Sequence, residues 1–188
     1  TAVTAGITYK YRIAGVLEQD DGWFRNTVPG AWSTRRNETD RHGLRGFLNL
    51  ELSDRTSVLI GAHTGGNDVL AAVYGHQGTA GLHPDFGNPA GGCFVPDPDM
   101  DCFVYIDTDG DWFGGASDRA GELSIEVSGA MLNAAWQGDT LTVTWLAGYE
   151  HVGKYHTEDT DAGPFALVEP VFTAGSTALT QELRVDGA

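Results

Sequence analysis

A chain of 188 residues with 26 Asp plus Glu against 11 Lys plus Arg is long enough for one domain with a substantial core. Its formal charge of -15 repels a nucleic-acid backbone or an anionic membrane surface over most of the exterior, which argues against direct nucleic-acid binding. No run of 18 apolar residues marks a membrane-spanning helix, and no basic-then-apolar leader opens the sequence.

The charge is also skewed in kind. Nine of the basic residues are Arg and only Lys10 and Lys154 are Lys, while 17 of the acids are Asp. Two explanations stand side by side: a surface suited to concentrated salt, where screening removes self-repulsion, and an ordinary acidic protein from a GC-rich genome.

Ile7, Tyr9, Tyr11 and Ile13 alternate with Thr8, Lys10 and Arg12, which predicts a strand from about Gly6 to Leu17 with one buried face. Apolar periodicity then stops, and residues 18–43 read as a long loop carrying Trp23, Phe24 and Trp32 beside Arg25, Arg35, Arg36 and Arg41. That mixture suits an interface, or a long loop pinned to its own domain. Leu48, Leu50 and Leu52, then Val58, Leu59 and Ile60, predict an antiparallel pair that turns near Asp54. Gly65-Gly66-Asn67-Asp68 predicts another turn, and Val69 to Tyr74 a buried strand or a short helical fragment. Residues 77–101 are Gly- and Pro-rich and read as irregular.

Farther along, Leu123, Ile125 and Val127 give the cleanest alternation, and Met131 to Trp136 is ambiguous. Gly138-Asp139 turns the chain into Leu141, Val143 and Trp145, the last read as core. Phe165 to Phe172, interrupted by Pro170, predicts an edge strand or a bulge, and Leu179 to Val185 a last strand. With no amphipathic helical run between them, these segments predict a single all-β domain over residues 1–188. The expected architecture is a β-sandwich or barrel of jelly-roll type, with about eight or nine mostly antiparallel strands and long loops.

The densest chemistry lies between Cys93 and Gly115. Cys93 and Cys102 are the only cysteines, and both a disulfide across a tight hairpin and two unpaired thiols fit them. The apolar run from Cys102 to Ile106 leads into Asp107, Asp109 and Asp111. Carboxylates at alternate positions can converge on a hard cation of Ca²⁺ size, with Asp97, Asp99 and Asp101 as further donors. A solvated acidic rim is the plainer account, and Trp112 stands where an EF-hand needs Gly.

Six histidines, His42, His63, His76, His83, His151 and His156, include no H-x-H pair of the cupin kind. There is no G-x-S-x-G. Glu122 with Glu126, or Glu51 with Glu150, are carboxylates that a sheet could bring to glycosidase spacing. None of these converges, so the sequence predicts no enzyme, no catalytic residue and no cofactor beyond that calcium ion.

Taken as a set, several traits resemble one known group. They are the length, the strand series from Gly6 to Val185, the Asp-rich and Lys-poor composition, the start at Thr1, and long loops carrying Trp23, Trp32 and Pro84 to Pro98. The group is the small single jelly-roll major capsid proteins of membrane-containing icosahedral viruses of halophilic archaea. The resemblance spans the chain and rests on no short motif. It implies a structural capsid subunit of the virion, assembling with itself or with a homologous capsid protein over a viral membrane that it does not enter. The loop at 18–43 would then be an arm between subunits. The alternative is an extracellular, secreted β-sandwich that binds or cleaves a polysaccharide, with Trp23, Trp32, Trp112, Trp136 and Trp145 as stacking platforms.

Overall fold

The computed structural model describes residues 2–4, 6–28, 35–70, 111–119, 121–166 and 168–187. In chain order the strands are β1 (Ala2–Thr4), β2 (Ile7–Asp20), β3 (Phe24–Asn26), β4 (Arg35–Arg36), β5 (Thr39–Ser53), β6 (Thr56–Leu70), β7 (Gly114–Gly115), β8 (Glu122–Gln137), β9 (Leu141–Thr157) and β10 (Val171–Gly187). The all-β, mostly antiparallel class predicted above is what the chain adopts, with no helix among the described residues.

Seven strands form one sheet in the order β1-β2-β5-β6-β8-β9-β10, and β4-β3-β7 form a second, small one. Each long strand therefore pairs with its nearest long neighbours in sequence, which is an up-and-down meander. The long return connection of a jelly roll is not found among the described strands. The one parallel pairing described is β3 with β7.

The long strands outrun the periodicity that announced them. Residues expected in a loop at 18–43 instead extend the ladder, with Glu18 opposite Arg41, Gln19 opposite Asp40 and Asp20 opposite Thr39. Period two fades there because both faces become polar, and alternation is visible only where one face is apolar. The expected turn at Gly65-Gly66-Asn67-Asp68 lies inside β6 for a different reason. A Cβ at Gly65 would sit 2.9 Å from the His42 carbonyl oxygen, and one at Gly66 2.6 Å from the His42 ring. These glycines mark a close approach between strands, which in sequence looks the same as a turn. Met131 to Trp136 continues β8, and Pro170 stands immediately before β10, where its missing N–H costs no ladder bond.

The connections are unequal at the two ends of the large sheet. At one end β5 turns into β6 through Asp54-Arg55 and β8 into β9 through residues 138–140. Arg55 ties these turns together by a 2.7 Å pair with Asp139, and its carbonyl accepts the Gln137 N–H at 2.8 Å. At the other end lie the long connections, residues 21–38, 71–121 and 158–170, and the small sheet belongs to them.

Burial follows the same division. The fully buried apolar residues described, Phe24, Ala116 and Ala162, all sit in the long connections or the small sheet, and none is on the large sheet. All extensive strand contacts run between ladder neighbours, so no described strand stacks broadly over the large sheet.

Two glycine substitutions test the close approach. Gly65→Ala should lower stability in urea melts by about 1–3 kcal/mol, because the opposing atom is backbone and cannot move without opening the ladder. Gly153→Ala, where a Cβ would meet nothing within 4 Å, should stay within about 0.5 kcal/mol of the parent.

Candidate functional site

The register sorts the side chains of the large sheet onto two faces, one with a charge-free band and one that carries the ion pairs. On one face Tyr9, Leu50, Val58, Ala134, Trp145 and Leu183 form a row across six strands. The next two rows are Tyr11, Leu48, Ile60, Leu132, Ala147 and Gln181, then Ile13, Gly46, Ala62, Ala130, Tyr149 and Leu179. These rows contain no Asp, Glu, Lys or Arg. Charge returns to this face only toward the long-connection end, at Asp40, Asp68, Glu122 and Glu126.

No described strand covers this band. Leu179 is 77% exposed, Ile13 70% and Tyr11 68%. Trp145, expected in a core, lies on the same face at 44%. Water does not favour an open apolar surface of this extent.

The opposite face is mixed: Leu59, Leu123, Ile125, Val127, Leu146 and Val152 lie on it beside paired charges. Lys10 binds Glu51 at 2.7 Å, and Arg41 lies 3.7 Å from Glu18 while its Nε donates to Asn67 at 2.8 Å. Arg184 grips Glu182 through two bonds, of 2.5 and 3.1 Å. Two contacts reach across a whole strand by lying over a glycine. His63 and Glu150 meet at 3.1 Å above Gly129, where a Cβ would collide with both. Phe47 and Met131 close over Gly61 in the same way, each 2.8 Å from a Cβ placed there.

The long-connection end is a polar cap. Asn26 joins the small sheet to the β7–β8 connection by donating from Nδ2 to the Ser117 carbonyl at 2.9 Å and accepting the Ser117 N–H at 3.2 Å. The Ser117 hydroxyl in turn donates to the Asp159 carboxylate. Asp159 and Asp161 fold the β9–β10 connection on itself by accepting the N–H groups of Ala162 (2.9 Å), Gly163 (3.2 Å) and Val168 (2.6 Å). Asp118 donates its N–H to the Gly163 carbonyl at 3.1 Å, while its buried Oδ1 has no hydrogen-bond partner. Burial, with Asp159, Glu169 and Asp161 nearby, raises the Asp118 carboxyl from the ordinary range to about 6.

Of the carboxylates predicted to hold calcium, Asp107 and Asp109 lie outside the described residues, as do Asp97, Asp99, Asp101, Cys93, Cys102 and Trp32. Asp111 is described. It pairs with Arg25 at 3.0 Å and accepts the Phe113 N–H at 3.0 Å, opening the turn into β7. Among the described residues no group of three His, Cys, Asp or Glu side chains is placed to hold a metal ion.

Trp23 packs edge-on against Phe24 and Phe113, with Trp112 79% exposed beside them, so these aromatics belong to the cap. His151 bonds Thr177 at 2.9 Å and His156 pairs with Glu158 at 3.3 Å, so those two histidines have separate partners. Glu51 and Glu150 share the polar face but stand on β5 and β9, with β6 and β8 between them. Three strand spacings of roughly 4.8 Å and an offset of six residues along β9 at roughly 3.4 Å each put them about 25 Å apart, beyond glycosidase spacing. Sequence reasoning missed the His63–Glu150 and Phe47–Met131 bridges, whose one signal was a glycine on the strand between.

No protein-family model, no curated protein and no solved structure matches this chain.

The raised Asp118 carboxyl has a signed consequence. Between the ordinary carboxylate range and about 6 the folded chain binds a proton that the unfolded chain does not, so stability is full below that window and falls as pH rises through it. Melting temperatures should decline from pH 4.5 to pH 7.5. Asp118→Asn, which keeps shape without charge, should flatten that part of the curve.

Proposed function

We propose that the large sheet is a wall segment of a transmembrane β-barrel, its apolar face toward lipid and its polar face toward an aqueous lumen. The observation that carries this reading is the uncharged band, covered by no described strand, on one face of long, continuous, meandering strands. Across the sheet the charge-free rows run from Ile7 to Gly15 on β2, about 27 Å at roughly 3.4 Å per residue, because the Leu17 row already carries Glu126. At a barrel tilt of about 40° this gives about 21 Å of height, against an apolar band of roughly 25 Å in such barrels.

Three further features agree with it. Of the aromatic residues on the apolar face, Trp136 stands at the short-turn end opposite Thr56, where a membrane interface would lie. Short turns gather at one end and long connections at the other, the usual asymmetry of these barrels. Among the described residues no helix is long and apolar enough to cross a membrane, which is no obstacle, because strands cross with alternating rather than continuous hydrophobicity. Closure takes more strands, since β10 has no strand on its outer side and β2 is paired there only as far as Tyr9 among the described residues.

The capsid reading of the sequence calls for something different over the same band, namely a partner subunit. Refolding into vesicles that contain brominated lipid separates the two. Variants that keep Trp136 or Trp145 as the only Trp should be quenched, and variants that keep only Trp23 or Trp112 should not. Leu48→Arg, in the middle of the band, should cost about 2–4 kcal/mol of insertion, while Asn133→Arg on the polar face should cost little. Unquenched Trp145, with the chain assembling in salt without lipid, overturns the membrane reading and favours the capsid one.

A further inference from the structure

The polar face holds a pocket of about 280 Å³ between the two bridges that lie over glycines. Gly61 and Gly148 are among its lining residues, Phe47 and Met131 close one side, His63 and Glu150 the other, and Thr180 and Ala178 reach it from β10. Arg45 stands at its margin with the guanidinium carbon 5.8 Å from the centre of the Phe47 ring. Stacking of this kind orients a guanidinium and leaves its in-plane N–H donors unused.

Those donors have no acceptor here. Lys10, Arg41 and Arg184 on the same face each have a carboxylate, whereas none pairs with Arg45 among the described residues. Arg12, opposite Phe47, adds a second positive charge without a carboxylate. The Glu150 carboxylate is already engaged by His63. A cation with an unfilled fork therefore faces a space bounded by the Phe47 ring and the Met131 thioether on one side and the His63–Glu150 pair on the other.

We infer that this pocket binds a small, flat organic carboxylate, its acid group forked on Arg45 and its apolar body wedged between the Phe47 and Met131 side and the His63 and Glu150 side. Two parallel N–H to oxygen bonds fit a carboxylate and not a neutral amide. The inference goes beyond the membrane proposal and does not require it, since it concerns only the polar face.

Benzoate and benzamide are suitable probes, the second matching the first in shape without the charge. Each is titrated by saturation-transfer NMR into the full chain, in the medium where circular dichroism shows it folded. Benzoate should bind at least about tenfold tighter than benzamide. Arg45→Gln should erase that preference, while Arg184→Gln, whose partner Glu182 lies outside the pocket, should keep it. Thr180→Trp fills the pocket from the exposed edge strand without touching Arg45, and should block benzoate even if Arg45→Gln fails to fold. Equal affinity for the two probes, a benzoate preference that survives Arg45→Gln, or benzoate binding unchanged in Thr180→Trp overturns the inference.

Discussion

The backbone ladder is the interaction on which everything else in this chain depends. From β5 to β9 each strand is hydrogen-bonded on both sides over most of its length, so peptide groups that would be costly to desolvate are satisfied within one layer. A sheet built this way needs no second layer for its polar atoms. It does need something for its side chains, because the ladder fixes alternation and forces the apolar half onto a single side. An aqueous protein would answer with a stacked sheet or helices. In a bilayer the solvent itself supplies the cover.

Glycine has two uses within that frame. At Gly65 it lets backbone approach backbone. At Gly61 and Gly129 it leaves bare strand over which neighbours on either side can meet, so that Phe47 reaches Met131 and His63 reaches Glu150. The polar face gains relief as a result, with bridges standing above hollows. A flat sheet whose residues all pointed straight out would have charges but no concave place between them.

The strand class was legible because Tyr9 and Tyr11, Leu48 and Leu50, and Leu123 and Ile125 alternate cleanly. Strand length was not, since Glu18 to Asp20 and Asn67-Asp68 are polar on both faces and carry no period. The pairing partners were equally hidden. Nothing local says that Arg45 stands opposite His63 or that Glu150 reaches it from β9, because those contacts depend on register over long sequence separation. A buried face was read from Ile7 to Ile13, and the apolar side was right. What the pattern does not encode is whether protein or lipid does the burying, because both reward the same side chains.

The pair between Arg55 and Asp139 bears on how such a sheet could enter a bilayer. Its two short turns present three charged side chains, Asp54, Arg55 and Asp139, and the 2.7 Å contact joins the last two. In water, with both partners more than half exposed, that contact counts for little. In hydrocarbon the same contact strengthens as the dielectric falls, and it lets the leading edge travel with one unbalanced charge in place of three. Under the membrane proposal, these hairpin tips are the end that would lead.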